Sequence, residues 1–153
     1  QLTSSAFAHG AEIPSKYTCE GENVSPPLLI SNVPEGTQSL ALIMHDPDVP
    51  KHLKADGIFD HWVMFNITPT TTEIGENEAP GLEGKNGAGG VGFRGSCPPK
   101  EYEPARHRYI FTLYALKSEL PLPQGVTKAD VLEAMGGLII EKAELMGTYE
   151  KKQ

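Results

Sequence analysis

Asp46 and Asp48 in the run DPDVP, His61 in DHWVMFNI, and His107 with Tyr109 in HRYIFTLYAL are the residues whose types could do chemistry together. Carboxylates beside imidazoles favour charged histidine, and two imidazoles with a phenol hydroxyl can donate hydrogen bonds to a phosphate-like oxygen. The chemistry on offer is a small anion site. It exists only if the three clusters meet, and each lies where a strand begins or ends. If the strands carrying Asp46 and His61 pair antiparallel through the Pro47 to Gly57 loop, Asp46, Asp48 and His61 reach one rim of a sheet. His107 joins them if its own strand starts at that rim. Each part also has a plainer role. Asp-Pro-Asp-x-Pro is a turn sequence for backbone reasons. His61 shares an alternation face with Phe59, Val63 and Phe65, as a buried structural histidine would, and tyrosine is at home in any strand.

The elements that must position these residues are legible to differing degrees. The run Ser39–His45, SLALIMH, is almost wholly apolar, as in a strand covered on both faces. It stops at DPDVP, where two prolines remove ladder donors and the aspartates favour a turn. A second strand, Ile58–Ile67, places Phe59, His61, Val63, Phe65 and Ile67 on one face against Asp60, Trp62, Met64 and Asn66 on the other. A third, His107–Leu116, is rich in β-branched and aromatic residues. Leu28–Ser31 and Glu144–Tyr149 are weaker strand candidates. The stretch Thr68–Arg106 is rich in Gly, Pro, Asn and Glu, and a segment of that length without structure of its own is uncommon in a compact domain and usually functional when ordered. One helix begins at Thr127, whose hydroxyl can cap the first turn with Asp130 three residues on, and ends near Gly136-Gly137. Whether Leu138–Ala143 continues that helix or starts a strand is not decided by pattern. Strands first and a helix near the end predict a mainly antiparallel sheet protein with segregated helix. No internal repeat, low-complexity tract or linker divides the chain, so residues 1–153 are read as a single domain.

At 153 residues such a domain buries roughly 68–70% of the surface of its unfolded chain. The hydrophobic share of 39% and charged share of 22% are those of a globular protein, and 16 glycines with 13 prolines add turns. Against 13 basic residues stand 20 acidic ones, and the net charge of -7 argues against a nucleic-acid or anionic-membrane surface. Any bound anion must therefore be held by local groups: imidazolium, a nearby guanidinium and, as the family resemblance set out below implies, backbone donors of the Gly95 to Pro99 loop. No stretch approaches the ~20 apolar residues of a membrane span, and no basic segment followed by an apolar run opens the chain. A soluble, cytoplasmic protein is expected; because the chain begins at Gln1 rather than methionine, a periplasmic or secreted one is the alternative. Two cysteines, Cys19 and Cys97, are too few for a disulfide scaffold and lack metal-ligand spacing. The glycine-rich run GKNGAGGVGFRGS lacks the Gly-Lys-Ser/Thr ending of a phosphate loop.

Taken in order, DPDVP, DHWVMFNI, GFRGSCPP and HRYIFTLYAL resemble the successive signatures of phosphatidylethanolamine-binding proteins. IPSKYTCEGENVSPPL near the start and AELMGTYE near the end resemble the bacterial and archaeal Raf-kinase-inhibitor-like subgroup, so the resemblance covers nearly the whole chain. It implies that family's fold: mainly β, a large central antiparallel-rich sheet packed on a smaller sheet, with one or two short helices. It implies a ligand pocket at Asp46, Asp48, Pro50, His61, Gly95, Pro98, Pro99, His107 and Tyr109, all present in the family's residue types. No catalytic residue, cofactor or metal is implied. Cys19 and Cys97 are placed close together beside the pocket mouth, as a disulfide in an oxidising compartment or a thiol pair in the cytosol. Arg94, next to the pocket glycine, is either a guanidinium that forks onto an oxyanion or a solvated loop residue. Ending at Gln153 soon after GTYE, the chain is expected to lack the C-terminal helix that eukaryotic members place beside the pocket, so kinase inhibition and lipid choice are not inherited.

The function expected is a module that binds phosphate, a phosphomonoester or a phospholipid headgroup and regulates a protein partner such as a kinase or peptidase. One alternative is a hydrolase or transferase in which His61 or His107 is general base, with Cys97 the nucleophile left open. Another is a metal site drawn from His45, Asp46, Asp48, His61 and His107, which offer ligands but no diagnostic spacing. A third is a peptidase inhibitor or signalling regulator that works through a surface loop. The resemblance also implies a homodimer. Light scattering at micromolar concentration is expected to return twice the chain mass, and the monomer mass contradicts that expectation.

Overall fold

Apolar runs decide where the strands lie. The computed structural model describes residues 1–152. Along the chain come β1 (Leu2–Thr3), β2 (Leu28–Ile30), β3 (Ser39–Asp46), β4 (Phe59–Ile67), β5 (Glu73–Ile74), β6 (Leu82–Glu83), β7 (Arg106–Leu116), α1 (Lys128–Met135) and β8 (Ile139–Glu150). Five strands in the order β6-β4-β3-β7-β8 form the large sheet and β1-β2-β5 the small one, with antiparallel pairing in both. The mainly β fold, two sheets and a short helix, is the one expected.

β3 is central, and its wholly apolar sequence follows from cover on both faces. Leu40, Leu42 and Met44 pack toward the small sheet with Leu28, Ile30 and Ile74. Ala41 and Ile43 pack on the opposite side with Val131 and Met135 of α1 and with Leu120. Each large apolar side chain so buried contributes about 1.5–3 kcal/mol. The helix starts where its cap dictates: the Thr127 hydroxyl accepts the Asp130 N–H at 3.2 Å, and the Asp130 carboxylate accepts the Thr127 N–H at 3.1 Å. It stops because Gly137, at φ +77°, takes a left-handed conformation that a helix cannot continue. Leu138–Ala143 then goes mostly to strand: β8 runs from Ile139 to Glu150 and pairs with β7 along its whole length. The stretch Thr68–Arg106 is not one loop. Glu73–Ile74 closes the small sheet, Leu82–Glu83 edges the large one, and the chain returns under β4 through a hydrogen bond from Arg94 N–H to His61 O at 2.9 Å.

β4 departs twice from simple alternation. Leu40 faces Ile67 and Leu42 faces Met64, so three steps on β4 oppose two on β3. Asn66 takes up the extra residue at φ 55°. Ile67 is thereby turned into the inter-sheet core with Met64, away from Val63 and Phe65, with which the sequence pattern grouped it. The second departure is at His61. Met44 faces Trp62 but the next residue, His45, faces Asp60, leaving His61 as the added residue.

Asn66 also locks its bulge to the segment after β7, its amide donating to Leu120 O at 2.9 Å and accepting Leu120 N–H at 2.7 Å. Asn66→Ala removes both bonds and places a residue without local hydrogen bonding at positive φ. Urea unfolding is expected to show a loss of about 2–3 kcal/mol. A loss below about 0.5 kcal/mol would show that the bulge does not depend on this side chain.

Candidate functional site

Because β3, β4 and β7 are antiparallel neighbours, the end of β3 and the starts of β4 and β7 share one rim. Asp46, the last residue of β3, is buried at 4% exposure and uses both carboxylate oxygens. One accepts the Asp48 N–H at 2.7 Å, closing the DPD turn. The other accepts the Nδ1–H of His107 at 2.6 Å. His107 is 1% exposed, and its Nε2 is buried with no hydrogen-bond partner among the described residues.

His61 reaches the same place through the β4 bulge. Regular alternation would put it with Val63, on the face that packs against α1; the extra residue instead turns it onto the rim of the inter-sheet side. There its ring centroid lies 5.2 Å from that of Tyr109 and 4.8 Å from that of Phe59. Its Nδ1 is 2.6 Å from the Arg94 carbonyl, which can only accept, so Nδ1 carries the proton. Burial pushes the His61 pKa below the usual imidazole value, which leaves the ring uncharged near neutral pH with a lone pair on Nε2. Burial also pushes the Tyr109 phenol up, so its hydroxyl stays protonated.

The third side of the site is the 94–99 segment. Gly95 lies so close to the N-terminal region that an added Cβ would stand 2.1 Å from Asn23 Oδ1 and 2.7 Å from Tyr17 O. Its N–H donates to Asn23 Oδ1 at 3.0 Å. Cys97 is joined to Cys19 by a disulfide with Cα atoms 5.5 Å apart. The Cys19 N–H donates to Ser96 O at 3.1 Å beside it. These contacts correct one expectation about donors. The Gly95 N–H is already used, and Pro98 and Pro99 have none to give, so this loop supplies shape rather than hydrogen bonds at those three positions.

Asp46, His61, Gly95, Pro98, Pro99, His107 and Tyr109 line one cavity of about 430 Å³, together with Cys97. Asp48 and Pro50 are not in its lining. The Asp48 carboxylate is taken by Arg108, accepting the backbone N–H at 2.8 Å, Nε at 3.0 Å and Nη2 at 2.8 Å. That fork holds its pKa below the usual carboxylate range. Pro50 lines a neighbouring hollow with Lys51 and Tyr102. Arg94 does line the cavity, at an exposed position, and among the described residues its guanidinium has no paired side chain. Sequence reading missed Phe59 and Tyr102 as lining residues. An aromatic in a strand carries no signal of its own, and Tyr102 lies in a loop turned by its own N–H donating to Pro99 O at 3.1 Å, a local bond that its sequence does not announce. His45 alternates to the other sheet face, near Lys128 and Asp60, and burial pushes its pKa down. Among the described residues no group of three or more His, Cys, Asp or Glu is arranged to hold a metal ion.

A family model described as phosphatidylethanolamine-binding protein matches residues 3–150. A UPF0098 protein of Chlamydia pneumoniae is 50% identical over 152 residues, covering 99% of both chains. One from Methanothermobacter thermautotrophicus is 44% identical over 98% of both. Among solved structures, a putative phosphatidylethanolamine-binding protein homologue of Chlamydia trachomatis superimposes with a TM-score of 0.94 at 48% identity, covering 99% of this chain and 97% of that one. E. coli YbcL, described as a member of the mammalian family, gives 0.87 at 32% identity, covering 99% and 98%.

The contact at Gly95 yields a direct test. Gly95→Ala forces both the Asn23 side chain and the backbone at Tyr17 to give way, and backbone cannot give cheaply. A loss of about 1–3 kcal/mol is expected in urea unfolding. Stability equal to that of the unsubstituted protein would contradict the close approach.

Proposed function

Because the chain belongs to the phosphatidylethanolamine-binding protein family, we propose that it is a binding module for a small phosphate-bearing anion. The anion, whether phosphate, a phosphomonoester or a lipid headgroup, is held over the imidazoles of His61 and His107, and the occupied rim is presented to a protein partner. The observation that carries this reading is His107 Nε2, a buried ring nitrogen with no partner among the described residues in a side chain that lines the cavity. Buried polar atoms are ordinarily hydrogen-bonded, so such an atom favours a ligand group at that point.

Roles follow from the contacts. Asp46 fixes His107 by accepting its Nδ1–H, as Arg94 O fixes His61, so each ring keeps Nε2 for the ligand. Tyr109 adds a protonated hydroxyl, and the Arg94 guanidinium, without a paired side chain among the described residues, supplies positive charge in the lining. Asp48 acts at one remove, clamping the turn through Arg108, and Pro50 belongs to the adjoining hollow. Gly95, Pro98 and Pro99 shape the wall. A hydrolase or transferase with Cys97 as its nucleophile is disfavoured, because that thiol is bonded to Cys19. That bond also favours a periplasmic or secreted setting over the cytoplasm. No helix among the described residues is long and apolar enough to cross a membrane.

The pH dependence has a definite sign. His61 is neutral near pH 7 because burial depresses its pKa, and in that form Nε2 only accepts. A phosphate oxygen can use it by bringing a P–OH proton, or the ring can take up a proton as the anion binds. Either way the complex holds a proton that is scarcer as pH rises, since a phosphomonoester loses its last one at about pH 6. Calorimetric titration with phosphate and phosphoethanolamine between about pH 5.5 and 8.5 is expected to show affinity falling as pH climbs. His107→Ala is expected to weaken binding by about 1.5–3 kcal/mol throughout. Affinity that is flat with pH and indifferent to His107 would contradict the proposal.

A further inference from the structure

Hydrogen bonds hold the third wall of the cavity as far as Ser96 and then stop. Arg94 shares two bonds with His61, the Gly95 N–H donates to Asn23 Oδ1 at 3.0 Å, and the Cys19 N–H donates to Ser96 O at 3.1 Å. The next tie to the body of the fold is Arg106, which opens β7 opposite Glu150. From Pro98 to Ala105 the described residues make two hydrogen bonds. The Tyr102 N–H donates to Pro99 O at 3.1 Å, within the segment, and Lys100 Nζ donates at 3.3 Å to the carbonyl of exposed Lys152. Yet Pro98, Pro99 and Tyr102 line the cavity, and the Tyr102 ring lies 6.3 Å from that of His107. The Cys19–Cys97 bond is the covalent tie at the point where the hydrogen bonds end. Both of its cysteines are exposed, although Thr18, Ser96 and Pro98 beside them are buried. A thiolate can therefore reach this disulfide from solvent without the fold opening first.

We propose that Cys19–Cys97 is a redox latch on the cavity wall, opened by a dithiol reductant. One thiolate of the reductant attacks a cystine sulfur and displaces the other as thiolate, leaving a mixed disulfide. The second thiol of the reductant then attacks that bond and releases the chain. Two electrons and two protons pass to the protein, which ends with two thiols, and the reductant leaves as its own disulfide. Residues 98–105 can then swing away from the cavity while Arg94, Gly95 and Ser96 keep their bonds, so the opening is local. Its effect on binding rests on the anion reading above: apparent affinity falls with the fraction of molecules whose wall stays in place.

Trypsin reads the latch without any ligand. Lys100 is the cleavage site inside the released segment, and Lys51 and Lys54, between β3 and β4, serve as the internal standard. Treatment with dithiothreitol is expected to speed cleavage after Lys100 by about tenfold or more relative to Lys51 and Lys54, with far-UV circular dichroism unchanged. Calorimetric titration with inorganic phosphate is expected to show affinity at least about threefold weaker in the reduced chain. Cys19→Ser/Cys97→Ser is expected to match the reduced chain whether or not dithiothreitol is present; if that variant does not fold, the comparison of oxidised with reduced wild type stands alone. A Lys100 rate unchanged by reduction, loss of the whole fold on reduction, or faster cleavage with phosphate affinity unchanged overturns the proposal. If the oxidised chain itself binds no phosphate, the anion reading fails, and the trypsin ratio alone decides the latch.

Discussion

The contact between the Asp46 carboxylate and the Nδ1–H of His107, 2.6 Å long and almost wholly buried, is the interaction on which the rim depends. A buried carboxylate costs several kcal/mol unless its oxygens are satisfied. Here both are, one by His107 and one by the Asp48 N–H, so the turn after β3 and the start of β7 are fixed by the same side chain. The contact also settles which nitrogen of His107 remains. With Nδ1 committed, Nε2 is the atom left without a partner among the described residues. Asp46 is thus read as the group that aims the ligand-binding one, a role that a carboxylate near an anion could not fill by direct contact without repulsion.

His61 depends on backbone irregularity in the same way that His107 depends on Asp46. Only the added residue in β4 brings the ring around to the inter-sheet side. Only the return of the chain at Arg94 holds it there, by paired bonds between the His61 carbonyl and the Arg94 N–H and between Nδ1 and the Arg94 carbonyl. That return is anchored in turn by Gly95 against Asn23 and by the Cys19–Cys97 bond. Cross-linking residues 78 apart in sequence removes loop entropy from the unfolded chain, by about 4–5 kcal/mol in the entropic account. The site is therefore preorganised by long-range constraints, while the residues that line it are few and common in type.

Much of this was legible in the sequence, for reasons that explain the remainder. Ser39–His45 announced a strand covered on both faces because a central strand buried between α1 and the small sheet has no polar side to show. Thr127 and Asp130 announced the helix start because capping is local chemistry. β1, β5 and β6, two residues each, were not legible, since two residues carry no period. Leu138–Ala143 could not be assigned because its exposed, mixed side chains lack a periodic face; the pairing partner β7 decides it. Period-two alternation places His61 on the face of Val63 because it assumes an unbroken ladder, whereas the bulge that turns the ring is set by the partner strand. The family resemblance includes Asp48 in the ligand set, whereas its partner, Arg108, lies 60 residues away and shows only in three dimensions.

Fold, rim and family together support a reading in which two imidazoles, each locked by an acceptor on Nδ1, offer their remaining nitrogens to a phosphate oxygen. The most direct measurement is side-chain ¹⁵N NMR of the histidines, recorded without and with saturating phosphate. The account predicts that Nδ1 of His61 and of His107 is protonated in both spectra and that phosphate shifts the Nε2 resonances of both rings. Nδ1 bare in either ring, or Nε2 resonances that phosphate leaves in place, would contradict it.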